Sequence, residues 1–187
     1  MSLAISNEEA MMPSLQDFFS YSHNFDVLKE FADSRKSRSN KLSIGLLDWF
    51  NVNYSKEYGI TYTLVKMGRT KKMVYVWQAY NSALNGYGKE LFDPFARGKS
   101  KGGAIRITND KEASVTTTLR QLNYFRWAIK NGVIDYVKEH LDDIYADYNK
   151  RSNRGGKKKK GEKKQKLSVS ASKSLGIHNV KMTVKFG

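Results

Sequence analysis

Few residues in this chain of 187 have the types and spacing that covalent chemistry needs. There is no Cys, which excludes a thiol nucleophile, a disulfide scaffold, a Cys-ligated zinc and an iron–sulfur cluster together. The three histidines, His23, His140 and His178, lack ligand-spaced neighbours such as a second His four positions on with a Glu between. His140 lies beside an apolar stripe and reads as a histidine at the boundary of a core. Gly98-Lys99-Ser100 imitates the end of a phosphate-binding loop, but Asp93 stands where such a loop needs its first glycine, and more glycine follows instead of a helix. Asp142, Asp143 and Asp147 form an acidic face that either binds a cation or is solvated surface. No Gly-x-Ser-x-Gly elbow or dinucleotide fingerprint occurs. These patterns predict a protein that is not an enzyme and takes no cofactor, metal or small-molecule substrate.

Charge carries more signal. The formal net charge is +15, from 33 Lys and Arg against 18 Asp and Glu. Residues 1–150 hold 21 basic and 17 acidic residues, a net of +4. Residues 151–166 hold nine basic residues and one acid, a net of +8, with no apolar side chain. Such a segment is not expected to fold by itself. Its cations, Arg151, Arg154, Lys157, Lys158, Lys159, Lys160, Lys163, Lys164 and Lys166, are candidate contacts for a polyanion or an acidic partner, and the Lys157–Lys160 run also fits a nuclear localisation signal. A purely solubilising tail is the alternative. Further back, Tyr62, Tyr75 and Trp77 lie among Lys66, Arg69, Lys71 and Lys72, where aromatic rings either stack on bases or pack into a core.

The elements that must position these groups are legible as periodicities. Ser14-Leu15-Gln16-Asp17 after Pro13 predicts a helix start, with residues 1–13 as an N-terminal arm. Phe25, Leu28 and Phe31 predict a second helix, and Leu42, Leu46, Leu47, Phe50 and Tyr54 a core helix over residues 42–56. Residues 60–65 and 73–77 predict a β-hairpin around Gly68. Residues 78–92 predict a helix, followed by a turn at Phe92-Asp93-Pro94-Phe95, a flexible basic loop and a short strand at 104–107. Thr116-Thr117-Thr118 opens a helix that stops at Asn131-Gly132, and Val133, Val137, Leu141, Ile144 and Tyr148 mark a second one, giving a helical hairpin. Val180, Met182, Val184 and Phe186 alternate with polar residues as a terminal strand that would pair with a partner's sheet. The expected architecture is therefore α+β: helices, including the hairpin, packed on a small antiparallel sheet over residues 14–150. A basic linker follows at 151–166, and then a C-terminal extension at 167–187. The nine N-terminal residues have neither a basic n-region nor an apolar h-region, and no stretch approaches the length of a membrane span, so a soluble protein without a secretory signal is expected.

Three stretches taken together carry a resemblance. They are residues 41–56 (KLSIGLLDWFNVNYSK), 87–97 (YGKELFDPFAR) and 118–129 (TLRQLNYFRWAI). In this order they resemble a small-protein family of nucleocytoplasmic large DNA viruses, over roughly residues 14 to 148. The chain departs from the family's pattern at Ala96-Arg97-Gly98, where a denser Arg cluster tends to follow. The resemblance brings no assigned functional residues. It implies a structural virion protein, a minor capsid protein beneath the major capsid shell that cements capsomers, with the major capsid protein and other minor capsid proteins as partners. Its place would be the inner capsid layer of the virion, after assembly in the host cytoplasm or nucleus. On this reading Phe92, Asp93, Pro94 and Phe95, with Val180, Met182, Val184 and Phe186, contact protein partners. The alternative is a DNA-associated or late-gene factor whose Lys-rich tail binds phosphates.

Overall fold

A capping box fixes the first helix. In the computed structural model, which describes residues 6–34, 41–65, 71–98, 103–109 and 112–156, the Glu9 N–H donates to the Ser6 hydroxyl at 3.2 Å. The Ser6 N–H donates to the Glu9 carboxylate at 2.9 Å. Two orphan donors of a helix start are thus satisfied reciprocally, and α1 spans Asn7–Ser20. The start expected at Ser14 is corrected: Pro13 lies inside α1, and the boundary expected between residues 13 and 14 falls within the helix. Capping at Ser6 and complete burial of Leu15 and Phe19 outweigh the hydrogen bond that Pro13 cannot donate.

α2 (Ser22–Ser34) buries Phe25, Leu28 and Phe31, as their spacing requires. The core helix begins with α3 (Ile44–Trp49), where the Leu46 N–H donates to the Ser43 hydroxyl at 3.2 Å. It widens into one π-turn over Phe50–Tyr54 and ends as α4 (Ser55–Glu57). In that turn the Ser55 N–H donates to the Phe50 carbonyl, five residues back. The extra residue moves the buried stripe on by one position, so Ser55, not Tyr54, is buried, its hydroxyl donating to the Asn51 carbonyl at 2.8 Å.

β1 (Thr61–Val65) pairs antiparallel with β2 (Lys71–Tyr75), Thr61 opposite Tyr75 and Val65 opposite Lys71. The second strand lies two residues earlier than its apolar run suggested, because Val76 and Trp77 already belong to α5 (Val76–Tyr87). α5 stops at Gly88, whose φ of +67° is a left-handed conformation that favours glycine. β3 (Ile105–Thr108) pairs with β4 (Ser114–Thr117), setting buried Ile107 opposite buried Val115. β4 replaces the helix start expected at Thr116: these β-branched residues extend the ladder, and only Thr118 caps the helix, accepting from the Gln121 N–H at 3.3 Å.

α6 (Leu119–Lys130) is the innermost helix, with residues 121 to 125 buried in succession. It turns at Asn131–Gly132 into α7 (Val133–Glu139), and a break at His140, where one continuous helix was expected, leads to α8 (Leu141–Gly156). The turn packs on the first sheet. The Tyr62 hydroxyl donates to the Asn131 carbonyl at 2.8 Å, Lys72 Nζ donates to Asn131 Oδ1 at 2.9 Å, and the Tyr62 and Tyr136 rings stack with centroids 5.0 Å apart. The architecture is thus α+β, with a helical hairpin against a small antiparallel sheet. By its internal contacts the chain divides after Ser152. Among the described residues no helix is long and apolar enough to cross a membrane.

Gly132 ties backbone geometry to this packing: its φ is +68°, and a Cβ there would come within 2.8 Å of Leu64 Cδ1. Gly59 has a φ of +59° but open space around it. Gly59→Ala should therefore cost about 1 kcal/mol, the left-handed penalty alone. Gly132→Ala should cost about 2–3 kcal/mol because Leu64 must also leave its packing. Urea unfolding of the two variants side by side separates the contributions.

Candidate protein-interaction site

The 91–97 loop owes its position to α6. Asn123 and Gln121 are buried amides in the middle of that helix. Asn123 Nδ2 donates to the Leu91 carbonyl and Gln121 Nε2 to the Pro94 carbonyl, each at 2.9 Å. The remaining acceptors are also met: Gln121 Oε1 accepts from the Thr117 hydroxyl at 3.0 Å, and Asn123 Oδ1 from Arg126 Nη2 at 3.0 Å. Within the loop the Phe95 N–H donates to Asp93 Oδ1 at 2.8 Å, the short side-chain turn that Asp favours.

This geometry corrects the expectation that the four residues Phe92 to Phe95 face a partner. Phe92 is 1% exposed and sits among Tyr80, Tyr87, Tyr124 and Trp127, with ring centroids 5.5 to 6.0 Å away. Pro94 is buried as well, and the Asp93 carboxylate is engaged within the turn. Phe95, 52% exposed, is the one ring of the motif offered to solvent.

Polar side chains cluster next to the loop. Asn51 is fully buried on the π-turn, its Nδ2 donating to the Tyr124 hydroxyl at 2.8 Å, while its Oδ1 has no partner among the described residues. Burial, reinforced by the charge of Asp93, pushes the Asp48 carboxyl above its ordinary value, and Lys89 opposes this. Burial likewise pushes the Tyr80 phenol up to about 12 and the Tyr124 phenol well above its usual range. Both phenols are therefore neutral hydrogen-bonding groups near pH 7, not bases.

The acidic groups of α8 and the first cation of the basic segment are paired within the domain. Lys41 Nζ lies 2.6 Å from the Asp142 carboxylate. Asp147 accepts from Trp49 Nε1 at 3.1 Å and from Arg151 Nε at 3.1 Å. Arg151, counted with the basic tail, belongs to α8, paired with Glu57 at 2.5 Å and with its guanidinium 5.9 Å from the centre of the Trp49 ring. The backbone of Arg154 is also helical. Lys157, Lys158, Lys159, Lys160, Lys163, Lys164 and Lys166, residues 99–102 of the expected basic loop, and Val180, Met182, Val184 and Phe186 of the expected terminal strand lie outside the described residues. The His140 ring is 4.3 Å from that of Tyr136. Among the described residues no group of three or more His, Asp or Glu side chains is placed to hold a metal ion.

Of the hairpin aromatics, Tyr62 turns inward and Trp77 lies in α5 under Lys56 Nζ, 4.9 Å from its ring centre. Tyr75 faces out. With Val65 and Met73 it forms an apolar outer face that the sequence reading overlooked, although the alternation of β1 and β2 contained it.

Comparison with known proteins decides the affiliation. The chain matches a family of unknown function, DUF7197, over residues 4–182. It belongs to that family. A relative, the uncharacterized protein L507 of Acanthamoeba polyphaga mimivirus, is 38% identical over 132 residues, which is 69% of this chain and 50% of that protein. The chain thus spans half the length of the relative it matches. The affiliation agrees with the resemblance to proteins of large DNA viruses. No solved structure matches the chain.

Two expectations follow for this family member. Phe92→Ala should destabilise by about 3–5 kcal/mol, as removal of a buried ring does. Phe95→Ala should stay within about 0.5 kcal/mol; thermal unfolding checks both. Because the folded-state pKa of Asp48 is raised, its carboxylate weakens the fold at neutral pH, and the stability it contributes when protonated is lost as pH rises through that raised value. Asp48→Asn should raise the melting temperature at pH 7, and its advantage should vanish below about pH 4, where the unfolded chain also protonates.

Proposed function

We propose that this protein is a structural component of a large DNA virus particle. It would act by binding and not by catalysis, as a minor capsid protein beneath the major capsid shell. The compact domain serves as a node, and the C-terminal segment is a strap that reaches neighbouring capsid proteins. One observation supports this reading most: the family match runs from residue 4 to residue 182, so the folded domain and the basic segment belong to one family pattern. The similarity to a mimivirus protein supplies the viral setting. A Lys- and Gly-rich segment without apolar side chains, such as residues 151–166, suits cementing if contacts with neighbours offset its ordering entropy at assembly.

The concentration of nine basic residues in 151–166 favours a second reading, a DNA-associated or late-gene factor that neutralises phosphates. Gentle disruption of virus particles carrying this protein, followed by separation of shell from genome, distinguishes the two. The capsid reading expects the protein with the shell, and binding to random duplex DNA no tighter than about 10⁻⁵ M near 0.15 M salt. Recovery with the genome, together with steeply salt-dependent DNA binding that is lost when residues 157–187 are removed, would replace it with the second reading.

A further inference from the structure

Among the described residues two buried side-chain atoms lack a hydrogen-bond partner, Asn51 Oδ1 and Arg120 Nε. Arg120 as a whole is only half-buried, whereas Asn51 is completely buried. A buried acceptor without a donor is costly, so the groups beside Asn51 Oδ1 decide what it is for. Asn51 Nδ2 is spent on the Tyr124 hydroxyl at 2.8 Å, and the carbonyl of the same planar amide opens beside that bond. Asp48 precedes Asn51 by three residues and so shares its side of the helix, where α3 passes into the π-turn. The Asp48 carboxylate is half-buried and makes no hydrogen bond or ion pair among the described residues. Tyr124, the partner of Asn51, and Tyr80 of α5 flank Phe92, with ring centroids 5.5 and 6.0 Å from its own. Asp93 follows Phe92 directly, and its Oδ1 accepts from the Phe95 N–H, which leaves Oδ2 over. The charges of Asp48 and Asp93 are both felt at the Tyr80 phenol, and that of Asp48 at the Tyr124 phenol.

The chemistry of this group of side chains is one-sided. It consists of oxygens: two carboxylates, one amide carbonyl and two neutral phenols. Apart from the Asn51–Tyr124 bond, none of these groups hydrogen-bonds to another among the described residues. Neighbouring oxygens that do not bond one another are what an ion needs, since each ligand stands about 2.3–2.6 Å from Ca²⁺ and not from its fellow ligands. An anion is excluded by the carboxylates, and a soft metal by the lack of nitrogen and sulfur donors. Lys89 is exposed and pairs with neither carboxylate, so its charge acts on Asp48 from outside. We propose that Asp48, Asn51 and Asp93 hold a hard divalent cation of the Mg²⁺ or Ca²⁺ class, through the Asp48 carboxylate, Asn51 Oδ1 and the remaining oxygen of Asp93. Water completes the shell, as is usual where one or two carboxylates bind such an ion. The ion matches the charge of the two carboxylates and gives the orphan carbonyl a partner. It also ties the π-turn to the 91–97 loop, so that Asp48 strengthens the fold when the ion is bound. This site does not depend on the capsid reading.

The test uses the full chain and three ions. Tb³⁺, a luminescent stand-in for Ca²⁺, should emit when the protein is excited, because the Trp127 ring lies 5.7 Å from that of Tyr80 and 6.1 Å from that of Tyr124. Ca²⁺ or Mg²⁺ should displace it with a half-effect at about 10⁻⁴–10⁻³ M, the range of weak oxygen sites. At about ten times its Kd the displacing ion should raise the melting temperature by about 3 °C or more over protein kept in chelator. Asp48→Asn should abolish the emission and the rise, while Asp142→Asn, at an exposed acid of α8, should leave both unchanged. Equal emission from Asp48→Asn and the unaltered chain would overturn the proposal, as would a melting temperature that no divalent ion moves. In the unaltered chain Ca²⁺ should also shift the side-chain amide resonances of Asn51. Shifts confined to the acids of α8 would mean an adventitious ion only and would sink the site. The Asn51 resonances decide the matter even if a variant folds poorly.

Discussion

The fold hangs on the burial of α6 from all sides. A helix with one solvated face tolerates polar residues there, but residues 121 to 125 are buried in succession, and two of them are amides. An unmet buried amide group costs about 1–3 kcal/mol, so Gln121 and Asn123 dictate where their partners must be. Their partners are the carbonyls of Leu91 and Pro94, and this is why the chain after α5 runs across α6 instead of away from it. Tyr124, also fully buried, imposes the same demand on the opposite element, where the π-turn presents the Asn51 amide to its hydroxyl. One buried helix thus sets the path of a loop, the wide turn of another helix and the seat of Phe92.

Much of the architecture was legible in the sequence because it rests on local spacing. Phe25, Leu28 and Phe31, the stripe through Leu122 and Phe125, and the Asn131-Gly132 stop each declare a helix within a few residues. What failed to show depends on partners distant in the chain. Pro13 looks like a helix start until the reciprocal bonds of Ser6 and Glu9 are weighed, and Thr116 looks like a cap until the strand at Ile105–Thr108 exists for it to pair with. The motif at Phe92 to Phe95 illustrates the same limit for the site. An aromatic beside a proline turn suggests an exposed recognition loop, and only the Gln121 and Asn123 amides, some thirty residues away, turn Phe92 into the core. Arg151 belonged by composition to the tail and by contact to the domain, since Glu57 is far off in sequence.

Two surfaces of different character result. The hairpin offers an apolar row on its outer face, while on α8 Asp142 pairs with Lys41 at the surface and Asp147 with Arg151. Most of the net charge of +15 lies outside the domain, in residues 151–187.

The attachment of α8 has a mechanical consequence. Any load on the chain beyond residue 156 must enter the domain along this helix. There it meets the ion pair of Arg151 with Glu57, the Trp49 indole bonded to Asp147, and the edge-on contact of the Trp49 and Tyr148 rings 5.8 Å apart. Together these contacts join α8 to the α3–α4 helix at two successive turns. The root of the C-terminal segment is built as an anchor, and its strength resides in Trp49 and Glu57 as much as in the segment itself.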